Sequence, residues 1–180
     1  KSTVAQIIEE MGLPVYYSDK RAKEIVNIDP VLKTKIIELL GAEAYDENGL
    51  YNRKFVAEQI FENDDLRQKL NSIIHPAVKI DFEDWLKIQN TEYVFKETAL
   101  LFELNLHQEC HKSILVSAED NTRLKRVMDR DGKTYREVEA VMNRQMPEKD
   151  KVKLADFILY NNGSLQELEE QVKILIANFT

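Results

Sequence analysis

The chain has 180 residues, 43% of them hydrophobic and 32% charged, with a net charge of −7. This is one domain, or one core with an inserted lobe, and the acidic balance argues against non-specific nucleic-acid binding. No apolar run approaches the ~20 residues of a membrane span, no secretory n-region and h-region is visible, and the single Cys110 rules out an intrachain disulfide framework, which suits a reducing cytoplasm.

Val4, Ala5, Ile7, Ile8 and Met11 have helical spacing, stopped by Gly12. "LPVYY" reads as a short strand closing on Ser18-Asp19, and "DKRAKEIVNIDPVLKTKIIELLG" as helix with a break at Asp29-Pro30. "YDENGLYN" is a turn built on Asn48-Gly49. From Asn52 to about Gln89 the pattern is helical, punctuated at His75-Pro76, with Pro76 suited to a first helical turn. Trp85, Phe55, Phe61 and Phe82 have helical spacing and read as core. "EYVFKET" and "HKSILVSA" are strands, and "EDNTRLKRVMDRD" and "YREVEAVMNRQM" are charged helices joined by Asp131-Gly132. "ADFILYNNG" is a last strand, and "SLQELEEQVKILIANF" a closing amphipathic helix. Strands alternating with helices imply an α/β fold with a parallel sheet flanked by helices. The helical stretch after Asn52 is too long for a simple crossover and implies an inserted lobe.

The chain opens on Lys1-Ser2-Thr3 and then an apolar helix, which is how the phosphate-binding loop G-x-x-x-x-G-K-[ST] ends. In such a loop, backbone N–H groups and a helix N-terminus hold phosphates, the Lys reaches the terminal phosphates, and the hydroxyl ligates Mg²⁺. Asp19 stands at the end of the strand after that helix, where open α/β sheets bind ligands. It suits a general base, an N-cap for the following helix (the commoner use of an Asp in that position), or both. Arg123, Arg126 and Arg130 share roughly one helix face, which suits a phosphate clamp or a solvated face paired with Asp129, Asp131 and Glu137. No Cys/His metal spacing or nucleophile triad is visible.

Taken in order, these pieces resemble the dephospho-coenzyme A kinase family over essentially the whole chain. "KSTVA" matches the end of the family's G-x-G-S-G-K-S-T-V-A loop, and "SDKRAKE" resembles its D-A-D-x-x-A-R segment. "DENGLYNRKFVAEQIFENDDLRQKLNSIIHP" resembles the family's D-G-x-L-N-R…I-x-H-P block, "ALLFE" its P-L-L-F-E, "RLKRVMDRD" its Q-x-x-R-x-x-x-R-D, and "ADFILYNNG" its last strand. Tyr17 stands where the family has the first Asp of D-A-D, Ala99 replaces the Pro, and Arg123 or a neighbour replaces the Gln.

The resemblance implies a P-loop kinase fold with its core over 1–28, 91–118 and 155–180, a helical acceptor lobe over about 29–90 and a lid over about 119–154. It implies transfer of phosphate from ATP, with Mg²⁺, to the ribose 3′-hydroxyl of dephospho-CoA in the cytoplasm, by a monomer without nucleic-acid or membrane partners. Lys1, Ser2 and Thr3 would bind ATP, with Ser2 and Glu97 serving the metal. Asp19 would act as base. Arg126 and Arg130, with Arg144, would close as the lid. Asn161, Asn162 and Gly163 would lie near the adenine, and Asn52, Arg53, His75 and Glu103 on the acceptor side. A complete loop needs about six more residues before Lys1, and a preceding strand about five more, so a strand and a Gly-rich loop are expected ahead of it. Two other readings fit the residues: a kinase of another small acceptor, and a nucleotide-binding module without catalysis.

Overall fold

The computed structural model describes residues 1–61 and 63–179. Along these the elements run α1 (Ser2–Glu10), β1 (Val15–Tyr17), α2 (Ser18–Ile28), α3 (Pro30–Leu40), α4 (Arg53–Phe61), α5 (Asp64–Lys87), β2 (Phe95–Glu97), β3 (Ile114–Ser117), α6 (Asp120–Asp131), α7 (Tyr135–Asn143), α8 (Glu148–Leu154), β4 (Phe157–Tyr160) and α9 (Leu165–Ala177). They form two compact units, one of Lys1–Gly12 with Thr98–Thr180 and one of Leu13–Glu97. The second takes in β1, α2 and β2 as well as the helical stretch from about 29 to 90.

In the first unit β3 and β4 pair in parallel, Ile114 opposite Phe157 through Ser117 opposite Tyr160. Asp156 fastens their starting ends, accepting from the Ser113 N–H and hydroxyl, both at 2.8 Å. Those two bonds, with Lys112, hold its carboxyl down at about 2. The amphipathic α1 buries Val4, Ala5, Ile7 and Ile8, and α9, which packs against it, buries Leu168, Val172, Leu175 and Ile176. Each buried Val, Leu or Ile side chain contributes about 1.5–3 kcal/mol, which holds α1 in place.

In the second unit β1 and β2 pair in parallel, Val15 opposite Phe95 and Tyr17 opposite Glu97. The core is Ile25, Val26, Leu32, Ile36, Ala44, Tyr45, Val56 and Leu70. Asp29 ends α2 and caps α3, its Oδ1 accepting from the N–H groups of Val31 and Leu32 at 2.8 and 3.0 Å. The Asn48-Gly49 turn forms as expected: Asp46 Oδ1 accepts from Asn48 and Leu50, and Gly49 takes the left-handed φ of 74° that favours glycine.

Four local expectations fail. α5 runs unbroken through Pro76. A proline inside a helix removes one backbone bond and costs about 3 kcal/mol, yet Ile73, Ile74, Ala77 and Val78 pack on the core on both sides of it, and that packing prevails. Ser18 begins α2 rather than ending β1, and among the described residues each of the four strands is shorter than the stretch expected for it. Phe61, expected in the core, is 67% exposed at the end of α4. α8 is a helix the periodicity does not announce, because its sequence EKDKVKL is almost all charged.

Candidate active site

A cavity of about 650 Å³ lies within the first unit. Lys1, Ser2 and Thr3 line it at the N-terminus of α1, where the first N–H groups of a helix have no partners inside the helix. Ser117 and Asn161 line it at the C-terminal ends of β3 and β4, the end of a parallel sheet at which ligands bind. α6 follows β3 directly and lines it with Arg123, Arg126 and Arg130, so the shared helix face expected from their spacing faces one cavity.

These arginines differ in their partners. Arg126 is exposed and donates from Nη1 to the Asn161 carbonyl at 2.8 Å. Arg130 is 68% exposed and grips its neighbour Asp131 in a two-pronged pair at 2.7 and 2.8 Å. Arg123 is held on two sides, by Asp120 within α6 and by Glu148 of α8 at 2.8 Å. Asn162 is used structurally: its Oδ1 accepts from the Glu119 N–H at 2.9 Å and ties the exit of β4 to the start of α6. A Cβ at Gly163 would lie 1.7 Å from Glu167 Oε2, so a larger residue there would displace the carboxylate that closes the capping box of α9 with Ser164. Arg144 is exposed at the C-cap of α7 and is not among the lining residues.

Glu103 does not line the cavity either. Its Oε1 accepts from Lys151 Nζ at 2.7 Å and from the Met146 N–H at 3.1 Å, while its Oε2 is buried without a hydrogen-bond partner. Burial pushes its pKa up, but the Lys151 ammonium and the backbone donors outweigh that, and its carboxyl stays below the usual range. Lys151 is itself 8% exposed. Through this pair the turn at 98–105 holds the segment that leads from α7 into α8. Sequence reasoning passed over Lys151 because it lies in a charged run with no apolar pattern.

Asp19, Asn52, Arg53, His75 and Glu97 belong to the second unit. Asp19 is exposed in the first turn of α2, just after β1. The N-cap position is taken by Tyr17, with no side-chain cap bond, and Asp19 is the acidic residue of the first turn. Glu97 ends β2 opposite Tyr17. Asn52 is engaged locally: Oδ1 accepts from the Phe55 N–H and Nδ2 donates to the Glu43 carbonyl, both at 3.2 Å. Arg53 is exposed at the start of α4. His75 is half-buried in α5, and burial holds its imidazole below the ordinary value. A further group, Asp81 on α5, accepts from both Tyr16 and Arg21. The long sequence separation of that link leaves no local signal.

The family model for dephospho-CoA kinase matches residues 1–167. The dephospho-CoA kinase of Leptospira interrogans is 35% identical over 178 residues, covering 98% of this chain and 86% of that protein. That of Bacillus cereus is 32% identical over 183 residues, covering 99% and 91%. The crystal structure of TT1252 from Thermus thermophilus matches with a TM-score of 0.86 at 31% identity, covering 99% of this chain and 91% of that one. Dephospho-CoA kinase from Campylobacter jejuni, at 24% identity and a TM-score of 0.72, shares the fold.

Proposed function

The chain belongs to the dephospho-CoA kinase family, and on that premise we propose how it carries out the ATP-dependent phosphorylation of dephospho-CoA, at the ribose 3′-hydroxyl, that yields coenzyme A. The observation that carries the reading is one cavity lined by the N-terminus of α1 and by the arginines of α6. Lys1 and the first N–H groups of α1 neutralise the β- and γ-phosphate oxygens of ATP. Arg126 and Arg130 exchange the Asn161 carbonyl and Asp131 for phosphate oxygens. Exposed pairs of this kind hold only ~0–1 kcal/mol, so the exchange costs little. Thr3 and Asn161, Asn162 and Gly163 border the nucleotide, and Arg144 closes with the lid. The transition state is loose, so positioning and charge neutralisation outweigh base strength.

Asp19 accepts the proton of the 3′-hydroxyl as that oxygen attacks. Asn52, Arg53 and His75 face the acceptor, and a neutral His75 suits a hydrogen-bonding rather than a charged role. Glu103 acts at one remove, by holding the lid's return segment through Lys151 and Met146. Among the described residues no group of three or more His, Cys, Asp or Glu is placed to hold a metal. Ser2 Oγ and the Glu97 carboxylate are hard oxygen donors, which suit Mg²⁺, an ion commonly held by substrate phosphates and waters with few protein ligands. Ser2 Oγ would bind it and Glu97 would act through its water shell. When bound, the ion would help to neutralise the negative charge of the ATP phosphates. We place the reaction in the cytoplasm and expect a monomer.

A coupled ADP-release assay on the full chain tests the reading. Dephospho-CoA should drive ADP release where nucleoside monophosphates and small alcohols do not. Release with those acceptors, and none with dephospho-CoA, would mean another kinase. No release with any acceptor, together with ATP binding, would mean a non-catalytic nucleotide module.

A further inference from the structure

We propose that Asp81 is a positioning residue for Asp19, a single carboxylate on α5 that grips the chain on both sides of the base; this rests on the assignment of Asp19 above. Before Asp19, Tyr16 on β1 donates its hydroxyl to Asp81 Oδ2 at 2.7 Å. After it, Arg21 on α2 donates from Nε to the same Oδ2 at 2.9 Å and from Nη2 to Oδ1. Arg21 is fixed further by Glu24, which accepts from Nη1 at 2.6 Å.

Both anchors are stiff. Tyr16 is 1% exposed, and its ring sits edge-on to Phe82 at 4.9 Å and against Trp85 at 5.5 Å. Those two rings are on α5, as Asp81 is, so α5 holds Tyr16 by ring and by hydroxyl together. The guanidinium fork of Arg21 meets the carboxylate with two donors, which fixes orientation as well as distance. With Tyr16 held on the strand and Arg21 on the first turns of the helix, the strand-to-helix junction at Tyr17, Ser18 and Asp19 can neither slide along β1 nor roll about the axis of α2. A base misplaced by about 1 Å by a change distant from the chemistry loses up to about 100-fold in rate. Local stiffness of this kind therefore bears on turnover and not only on the stability of the unit.

The test is a double-mutant cycle on the full chain, with kcat and the KM for ATP of Asp81→Asn, Asp19→Asn and the double variant each measured well below its own Tm. Asp81→Asn should lower kcat by about 10- to 100-fold and leave the ATP KM unchanged. In the Asp19→Asn background the same change should cost no more than about twofold, because the group it positions is gone. Arg21→Lys keeps the charge and loses the fork; it should move kcat in the same direction, and it carries the cycle if Asp81→Asn does not fold. Wild-type kcat in Asp81→Asn with a lowered Tm would make the network a structural brace and overturn the proposal. Full additivity in the double variant would overturn it as well, by placing the action of Asp81 elsewhere. Wild-type turnover in Asp19→Asn alone is a separate result: it removes the base assignment and the positioning role with it.

Discussion

In the unit of Lys1–Gly12 and Thr98 onward, two of the three arginines that line the cavity are held lightly, while Arg123 is tied to Asp120 and Glu148. Arg130 is 68% exposed and paired with the neighbouring Asp131, and Arg126 is exposed and bonded to one carbonyl. In the unit of Leu13–Glu97, one charge cluster is locked: Asp81 is 22% exposed and takes donors from a buried tyrosine and a forked arginine. The contrast teaches what each unit does with charge. On the proposed reading, groups that bind a mobile polyphosphate keep partners they can exchange at small cost. On the same reading, groups that position the proposed base are tied to elements distant in sequence. Lys151 is the instructive exception in the first unit, a cation beside the cavity that is buried on Glu103 and so committed to structure.

The largest expected effect tests that exception. Lys151→Met leaves Glu103 buried without its counter-charge, which should cost about 3–5 kcal/mol in urea unfolding at neutral pH. The pH dependence should also invert. In the native chain the folded carboxyl of Glu103 lies below its ordinary value, so its contribution is complete above the unfolded pKa and is lost as pH falls through the folded one. In Lys151→Met, burial acts on Glu103 without the ammonium to oppose it and raises the folded pKa. That variant should therefore gain stability on acidification from about pH 7 to 5. A loss below about 1 kcal/mol would class the pair with the exposed ones.

The second prediction tests the exchangeable arginines. Arg130→Ala and Arg126→Ala should each lower kcat/KM for ATP by about 10²–10³, the scale of losing a preorganised charge-stabilising group, with Tm shifted by only a few degrees. Arg136→Ala, exposed on α7, is the control and should do little. If all three behave alike, α6 is a solvated charged face.

The third carries the comparison to the other unit. Asp19→Asn should lower kcat by at least about 10² while the KM for ATP stays near its native value, because Lys1, Ser2 and the arginines are untouched. A shared loss in KM would mean that Asp19 serves nucleotide binding. The smallest effect concerns Asp29, a locked carboxylate with a purely local task. Removing its cap of α3 by Asp29→Ala should cost about 1 kcal/mol, or about 2–4 °C in Tm. Turnover should not change; if it does, the locked charges of this unit cannot be sorted into structural and positioning ones.

The sequence alone determined the features that act within one or two helical turns. The apolar stripes of α1 and α9, the Asp29-Pro30 stop, the Asn48-Gly49 turn and the common face of Arg123, Arg126 and Arg130 are written in spacings of two to four residues, and the structure follows them. The order of "KST", "SDKRAKE", "IIHP", "ALLFE" and "RLKRVMDRD" carried the family as well. Tertiary structure decided what depends on partners distant in the chain. Pro76 lies inside α5 because core packing on both sides outweighs one missing backbone bond. α8 forms from a charged run with Lys151 anchored on Glu103, and Asn52 and Asn162 serve backbone groups around them. Tyr16 and Arg21 meet Asp81 across 65 and 60 residues of sequence. A helix or turn is selected by neighbours along the chain, but the partner of a buried charge is selected by whatever the packed core brings beside it, and no window of sequence contains that information.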